Sequence, residues 1–399
     1  VEMHTSGEPT RIVYSGLPDF PSEVVTLHEK RQYMRSHHDS IRRCLMLEPR
    51  GHAGMYGAVI LPSTSNEKAN TAQVAFICAS EPGYTPMCGH ATMALARFLV
   101  DYPSLINESL LSEQERLALP SPDSYPYNAD TQSKQIHIEV PCGILDVTVP
   151  VLSQDGRSDP NRPASFISVP SWAQLDVSVP VLKAKSSAAD DPWVQLQKVA
   201  VKGHLTGDLG YGGGWYFVIP AAALGIENIA DTTNLAKLQE LAAALLRTVR
   251  VDKRVAEITG KNEDNRADIY GVVLSAPFVS GRFKAFPGQS PTPSELGLCV
   301  YSAGQLDRSP TGGAVAARQA IAHAKGTLTQ GVQHAYYSPT SIALGRQGAF
   351  MGSVEAQCAR SGGEGTDAVQ VRVEGTGFYT GLSEVLVEAG DPLCIDGFV

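Results

Sequence analysis

Two short segments each place a reactive side chain at the start of a Gly/Ala-rich run. Cys88-Gly89-His90-Ala91-Thr92-Met93-Ala94 follows Pro86-Met87, and Thr311-Gly312-Gly313-Ala314-Val315-Ala316-Ala317 follows Asp307-Arg308-Ser309-Pro310. At a constant offset Gly89 matches Gly312, Ala91 matches Ala314 and Ala94 matches Ala317. A free thiol titrates near ~8.5, and the unpaired N–H groups and macrodipole of a helix start lower that value. Cys88 is therefore a candidate thiolate base. The same N–H groups make a cradle for a carboxylate, and glycine lets the backbone approach it. Cys-Gly-His at a helix start thus suits a thiolate reaching the α-carbon of an amino acid held by its carboxylate. Thr311 offers only a neutral hydroxyl, too weak an acid or base to exchange protons with carbon at neutral pH. Taken singly, each residue also has a plainer role. Cys88 can be a core cysteine, Ser309 and Thr311 can be helix caps, and Asp307 either holds a ligand ammonium or buttresses its loop.

The elements that position these residues repeat. Ile41–Leu47, Gly57–Leu61 and Gln73–Ala79 read as β-like runs, the first two flanking the turn-rich EPRGHAGMY. Ala91, Ala94, Leu95, Phe98 and Leu99 recur at helical spacing, so Gly89–Val100 reads as a helix. Residues 101–134 are a polar excursion, and Ile136–Val140, Pro141-Cys142-Gly143 and Ile144–Val149 read as a β-hairpin. In the second half, strands near Trp215–Ile219 and Tyr270–Leu274 flank a helix at Leu235–Val249. A strand at Leu298–Ala303 precedes the helix opened by Thr311; Val369–Glu374, Phe378–Thr380 and a final β-like run at Glu384–Val387 follow. Many short strands around one key helix per half predict an α+β fold made by duplication. The expected halves are 1–178, joined by a C-terminal strand at 382–399, and 179–381, with Cys88 in the first and Asp307 and Thr311 in the second.

Composition narrows the function. At 399 residues the chain fits two domains. Its net charge of −9 argues against a nucleic-acid or anionic-membrane surface. No apolar run approaches the ~18 residues of a spanning helix, and the first residues do not read as a signal peptide. Seven cysteines, an odd number without a CxxC pair, argue against a disulfide framework or a zinc site and for a reducing, cytosolic compartment. Cys44, Cys78 and Cys299 lie in apolar runs and read as small buried hydrophobes. Gly212-Gly213-Gly214 precedes an aromatic strand instead of opening a helix, so no dinucleotide loop is expected.

Five segments carry a resemblance. MHTSGEPTR (3–11), LMLEPRGHAGMYGAVILP (45–62), MCGHATMALARF (87–98), YGGGWYF (211–217) and DRSPTGG (307–313) resemble, in order, the motifs of the proline racemase family. The resemblance implies the diaminopimelate-epimerase-like fold, two pseudo-symmetric halves each wrapped on a central helix, with the active site between them. It implies that in racemases and 4-hydroxyproline epimerases two cysteines flank the substrate α-carbon. Here the second position is Thr311, which resembles the trans-3-hydroxy-L-proline dehydratases of the family. One base is enough for β-elimination, and the resemblance implies that Cys88 would remove the α-proton, the 3-hydroxyl would depart as water, and the enamine acid would tautomerise to Δ1-pyrroline-2-carboxylate. The resemblance further implies that Gly89, His90, Asp307, Gly312 and Gly313 bind substrate, Asp307 meeting the ring ammonium. It implies a small imino-acid substrate, no cofactor and no metal, and it allows a homodimer. The alternatives are a proline racemase or hydroxyproline epimerase, and a non-catalytic binder of proline-like ligands. Gly313-Ala314 and Gly214-Trp215 depart from the common family pattern. His4, Glu8 and His52 lie in the motifs but read as turn-bracing residues.

Overall fold

The hairpin that opens the chain follows from two residues. Ser6 and Gly7 have φ of 53° and 88°, the left-handed pair that a two-residue hairpin loop requires. They join β1 (Glu2–Thr5) to β2 (Glu8–Val13) in antiparallel register. The computed structural model describes residues 1–64, 72, 74–80, 83–85, 87–184, 187–260, 269–278, 294–360, 366–388 and 390–393. Its contacts divide the chain into two compact units, Val1–Ile167 with Glu374–Val399, and Ser168–Val373.

In the first unit, α1 (Leu27–His37) and α2 (Asp39–Met46) carry the chain from β2 to a parallel β3 (Tyr56–Pro62). A capping box between Thr26 and Glu29 starts α1. Antiparallel β4 (Val74–Ser80) and the short β5 (Gly83–Thr85) lead into α3 (Gly89–Asp101). The excursion that follows forms short helical turns, including α4 (Glu113–Ala118), and the two-residue β6 (Tyr127–Asn128). β7 (Ser133–Val140) runs parallel to β4 and pairs with β8 (Gly143–Pro150), the expected hairpin, before β9 (Ala164–Ile167). Every residue of α3 except Arg97 is buried, and β1, β2, β3, β8 and β9 pack against it. Small side chains at Gly89, Ala91, Ala94 and Ala96 let these strands approach so closely.

The second unit begins with β10 (Trp172–Pro180), α5 (Pro192–Val199) and β11 (His204–Tyr211). From β11 onward it repeats the first. β11 pairs antiparallel with β12 (Trp215–Pro220), as β1 does with β2. The helices α6 (Leu235–Val251) and α7 (Lys253–Thr259) cross to a parallel β13 (Ile269–Pro277), as α1 and α2 cross to β3. β14 (Ser294–Tyr301) and the short β15 (Gln305–Leu306) then precede α8 (Gly312–Ala324), as β4 and β5 precede α3. β16 (His334–Tyr337) runs parallel to β14 and pairs with β17 (Phe350–Cys358), repeating β7 and β8. β18 (Ala368–Gly375) and β19 (Gly377–Gly381) end the described strands. The fold is α+β, two pseudo-symmetric halves each wrapped on one helix, the diaminopimelate-epimerase-like arrangement that the motifs imply.

Four local expectations differ from the structure. The expected β-like run Ile41–Leu47 is helical as far as Met46: Ile41 and Leu45, four apart, pack one face on the core, while Arg42 reaches back to Asp39 at 2.7 Å. The break between units falls at 167, not 178, because β10 pairs along its length with β11. The strand that returns to the first unit is β19, paired with β1, whereas 382–399 was expected. Glu384–Val387 forms no strand; Arg50 holds this tail through Leu386 O, Leu393 O and a 3.0 Å pair with Asp391. Pro86, Gln73 and Cys394 lie outside the described residues.

Candidate active site

The first half-site is the start of α3. Cys88 is its N-cap, in extended backbone conformation, and its sulfur accepts a hydrogen bond from Ala91 N at 3.4 Å. His90 turns its ring back on the cysteine, with Nδ1 at 3.1 Å from Sγ. The edge of Tyr56 supports that ring at 4.9 Å between centroids, and His90 O accepts from the Thr5 hydroxyl at 3.0 Å. Thr92 donates to Cys88 O at 2.8 Å, so the turn is tied on both sides. Gly89 and His90 are buried, and Cys88 is 5% exposed.

Burial changes the electrostatics expected of this thiol. Desolvation pushes Cys88 well above the ordinary thiol range, and a hydrogen bond with the buried Cys78 on β4 adds to the rise. His90 acts in the opposite direction, by charge and by hydrogen bond, but does not outweigh burial. The helix start does present an N–H to the sulfur, yet the resting side chain is a thiol. Burial overrides the lowering that a helix start alone would give. Cys78 is buried as expected; its contact with Cys88 had no signal in sequence, since it depends on tertiary packing, in which Cys78 on β4 pairs with Thr85 on β5 just ahead of Cys88.

The second half-site is the start of α8, and its backbone is strained. Thr311 has φ +64° and ψ 98°, the left-handed side of the map, where a β-branched residue is rare. It occupies the N-cap position, but its side chain makes no capping bond. Its hydroxyl donates instead to Asp307 Oδ2 at 2.6 Å, while Asp307 Oδ1 accepts from Ser309 N at 2.8 Å. Ser309 Oγ accepts from Thr311 N at 3.1 Å. Thus Thr311 is no side-chain cap, and Asp307 buttresses the loop with both oxygens. Each carboxylate oxygen still has capacity for another donor, such as a ligand ammonium.

Residues that no motif signalled hold this loop from behind. Arg318, one face down α8, donates to Pro310 O at 3.1 Å, and the hydroxyls of Ser338 and Thr340 both donate to Arg308 O. Gly312 and Gly313 are buried. A Cβ on Gly313 would lie 2.6 Å from Tyr216 Oη and 2.9 Å from Gly212 O, so this glycine is needed for packing against the β11–β12 turn. Gly213 has φ +88° in that turn, which links two antiparallel strands and opens no helix. Of the motif histidines, His4 accepts from Gly7 N at 3.3 Å and His52 sits 2.9 Å from Ala53 O, both bracing turns.

Among the described residues, no helix is long and apolar enough to cross a membrane, and no group of three or more His, Cys, Asp or Glu is placed to hold a metal ion. A sequence model of the family described as proline racemase matches residues 1–122 and 127–399. The human trans-3-hydroxy-L-proline dehydratase is 33% identical over 401 residues, covering 100% of this chain and 93% of that one. The mouse trans-L-3-hydroxyproline dehydratase is 34% identical over 404 residues, with the same coverage. A solved hydroxyproline epimerase from Agrobacterium vitis, with bound trans-4-hydroxy-L-proline, matches with TM-score 0.71 at 19% identity, covering 100% of this chain and 93% of that one, a likeness of fold. On a family match that spans nearly the whole sequence, the chain belongs to the proline racemase family.

Proposed function

We propose that this enzyme of the proline racemase family is a hydro-lyase that converts trans-3-hydroxy-L-proline to Δ1-pyrroline-2-carboxylate and water. One observation carries the reading: a thiol starts one helix and a hydroxyl starts its pseudo-equivalent, in a chain a third identical to trans-3-hydroxy-L-proline dehydratases. Cys88, as thiolate, takes the α-proton. The C–H electron pair becomes the C2–C3 double bond, and the C3–O pair leaves with the 3-hydroxyl as water. The resulting Δ2-pyrroline-2-carboxylate tautomerises to the Δ1 product. Backbone N–H groups at the helix starts (Gly89, Gly312, Gly313) hold the carboxylate as negative charge develops. Binding of substrate supplies the charge and dipoles that favour the thiolate, against the burial that keeps Cys88 protonated at rest.

Inversion needs a second acid–base group matched to carbon, and the Thr311 hydroxyl is not one. The test is incubation with trans-3-hydroxy-L-proline, L-proline and trans-4-hydroxy-L-proline in heavy water. Dehydration of the first alone supports the reading. Inversion of the other two with deuterium uptake would replace it with an epimerase or racemase. Inertness toward all three would leave a binder of proline-like ligands.

A further inference from the structure

Departure of hydroxide is unfavourable unless the oxygen gains a proton as the C–O bond breaks. We propose that Asp307 and Thr311 form one proton-relay unit that delivers this proton, and that its source is the substrate's own ring ammonium. The proposal rests on the dehydratase reading above and deepens it.

Three observations lead there. The Thr311 hydroxyl is turned away from the helix it starts and onto Asp307 Oδ2 at 2.6 Å. Both side chains are only 5% exposed, so the pair is shielded from bulk water. The loop holds this arrangement at a backbone conformation that threonine disfavours, φ +64°, with Pro310 O tied to Arg318 and Arg308 O tied to Ser338 and Thr340. A threonine in ordinary N-cap conformation would spend its hydroxyl oxygen on the helix. Here the loop commits the hydroxyl to the carboxylate and leaves lone pairs on Oγ1 for a partner.

The chemistry balances without a co-reactant. The ring nitrogen must lose one ammonium proton before its lone pair can conjugate with the new double bond. Asp307 accepts that proton. It passes a proton to Thr311 Oγ1 as the Thr311 proton moves to the departing oxygen. Asp307 ends as carboxylate, Thr311 as hydroxyl and Cys88 as thiol; the products are water and a neutral-nitrogen enamine carboxylate. Threonine is too weak an acid to lose a proton outright, but in this step it gains one as it gives one.

The experiment uses the full chain and pairs trans-3-hydroxy-L-proline with trans-3-fluoro-L-proline, whose fluoride departs without protonation. Thr311→Val and Asp307→Asn are expected to lose about a hundredfold or more in dehydration, the scale of general acid catalysis. Thr311→Val is expected to keep releasing fluoride and to keep exchanging the α-hydrogen of recovered hydroxyproline with heavy water, because Cys88 and the Asp307 carboxylate are untouched. Asp307→Asn, which also removes the acceptor for the ammonium proton, is expected to lose fluoride release as well. Thr311→Ser, which keeps the hydroxyl, is expected to retain dehydration. Equal loss of dehydration, fluoride release and exchange in Thr311→Val would overturn the relay, as would unimpaired dehydration, or a Thr311→Ser protein as poor as Thr311→Val. Should the wild-type protein release no fluoride, the α-hydrogen exchange decides alone. Failure of the dehydratase reading looks different: the wild-type protein would leave trans-3-hydroxy-L-proline unchanged.

Discussion

Arg318→Met tests whether the Thr311 loop is held from behind. Arg318 is 3% exposed and makes a 3.1 Å bond to Pro310 O, a 3.0 Å pair with Glu295 and a stack over Tyr336 at 4.4 Å. The bond from a buried guanidinium to Pro310 O contributes about 1.5–3 kcal/mol. The Glu295 pair adds at most about 1 kcal/mol, since the Glu295 side chain is 35% exposed and solvent screens it. The cation–π contact adds about 1 kcal/mol, part of which methionine recovers by packing on the same ring. The expected loss is therefore about 3 kcal/mol, read by urea unfolding. The functional effect comes by another route. Thr311 stores about 1–3 kcal/mol of backbone strain, and freeing Pro310 O lets that strain relax and carries the hydroxyl off Asp307. Misplacement on that scale lowers kcat about a hundredfold, with a smaller effect on KM. A variant that loses the stability but keeps its kcat would refute the idea that Arg318 positions Thr311. One that loses neither would refute the bonding pattern itself.

Other perturbations address the first half-site and its support. Cys88→Ser keeps an N-cap acceptor for Ala91 N, so its fold is expected to persist while dehydration disappears; an active Cys88→Ser protein would remove the thiol from the reaction. Thr311→Cys restores a second thiol and is expected to gain inversion of trans-3-hydroxy-L-proline at the expense of elimination, read by chiral chromatography; elimination unchanged with no inversion would count against the one-base argument. Because burial raises the Cys88 pKa, kcat/KM is expected to climb with pH toward and beyond the ordinary thiol value near ~8.5, and a flat profile there would contradict it. The same shift makes the folded state keep a proton that the unfolded chain gives up. Its contribution to stability is whole below about 8.5 and lost as pH rises toward the folded value, a slope that Cys88→Ser should lack in paired urea titrations. Asp101, 1% exposed, accepts from Ser158 N at 2.7 Å, the Ser158 hydroxyl at 2.6 Å and the Tyr379 hydroxyl at 2.9 Å. Asp101→Asn turns an amide toward those donors and should destabilise by about 3 kcal/mol, and a loss under about 1 kcal/mol would show that the clasp relaxes freely.

Part of the molecule could be read from its residues because the responsible interactions are local. The β7–β8 hairpin, α3 and α6 followed from alternation and helical spacing within windows of a dozen residues. The duplication followed from matched Gly and Ala positions, and the structure extends that short match to a repeated series of parallel and antiparallel pairings. Ile41–Leu47 failed the same test. A seven-residue stretch, here with two arginines among its apolar residues, is too short to fix its period, and only its packing against the first unit's core selects the helix.

The pair of residue types, a thiol and a hydroxyl at equivalent helix starts, was determined by the sequence alone, and with it the contrast between a group that can ionise and one that stays neutral. What those groups are like was decided by tertiary structure. The Cys88 thiol is pushed up by burial first and by its hydrogen bond with Cys78 second, an effect of tertiary packing that no short motif contains. Thr311 bonds to Asp307 instead of capping its helix because Arg318, Ser338 and Thr340 fix the loop in a left-handed turn. Residue types travel with the chain, whereas desolvation and hydrogen-bond partners arise only where distant segments close around them.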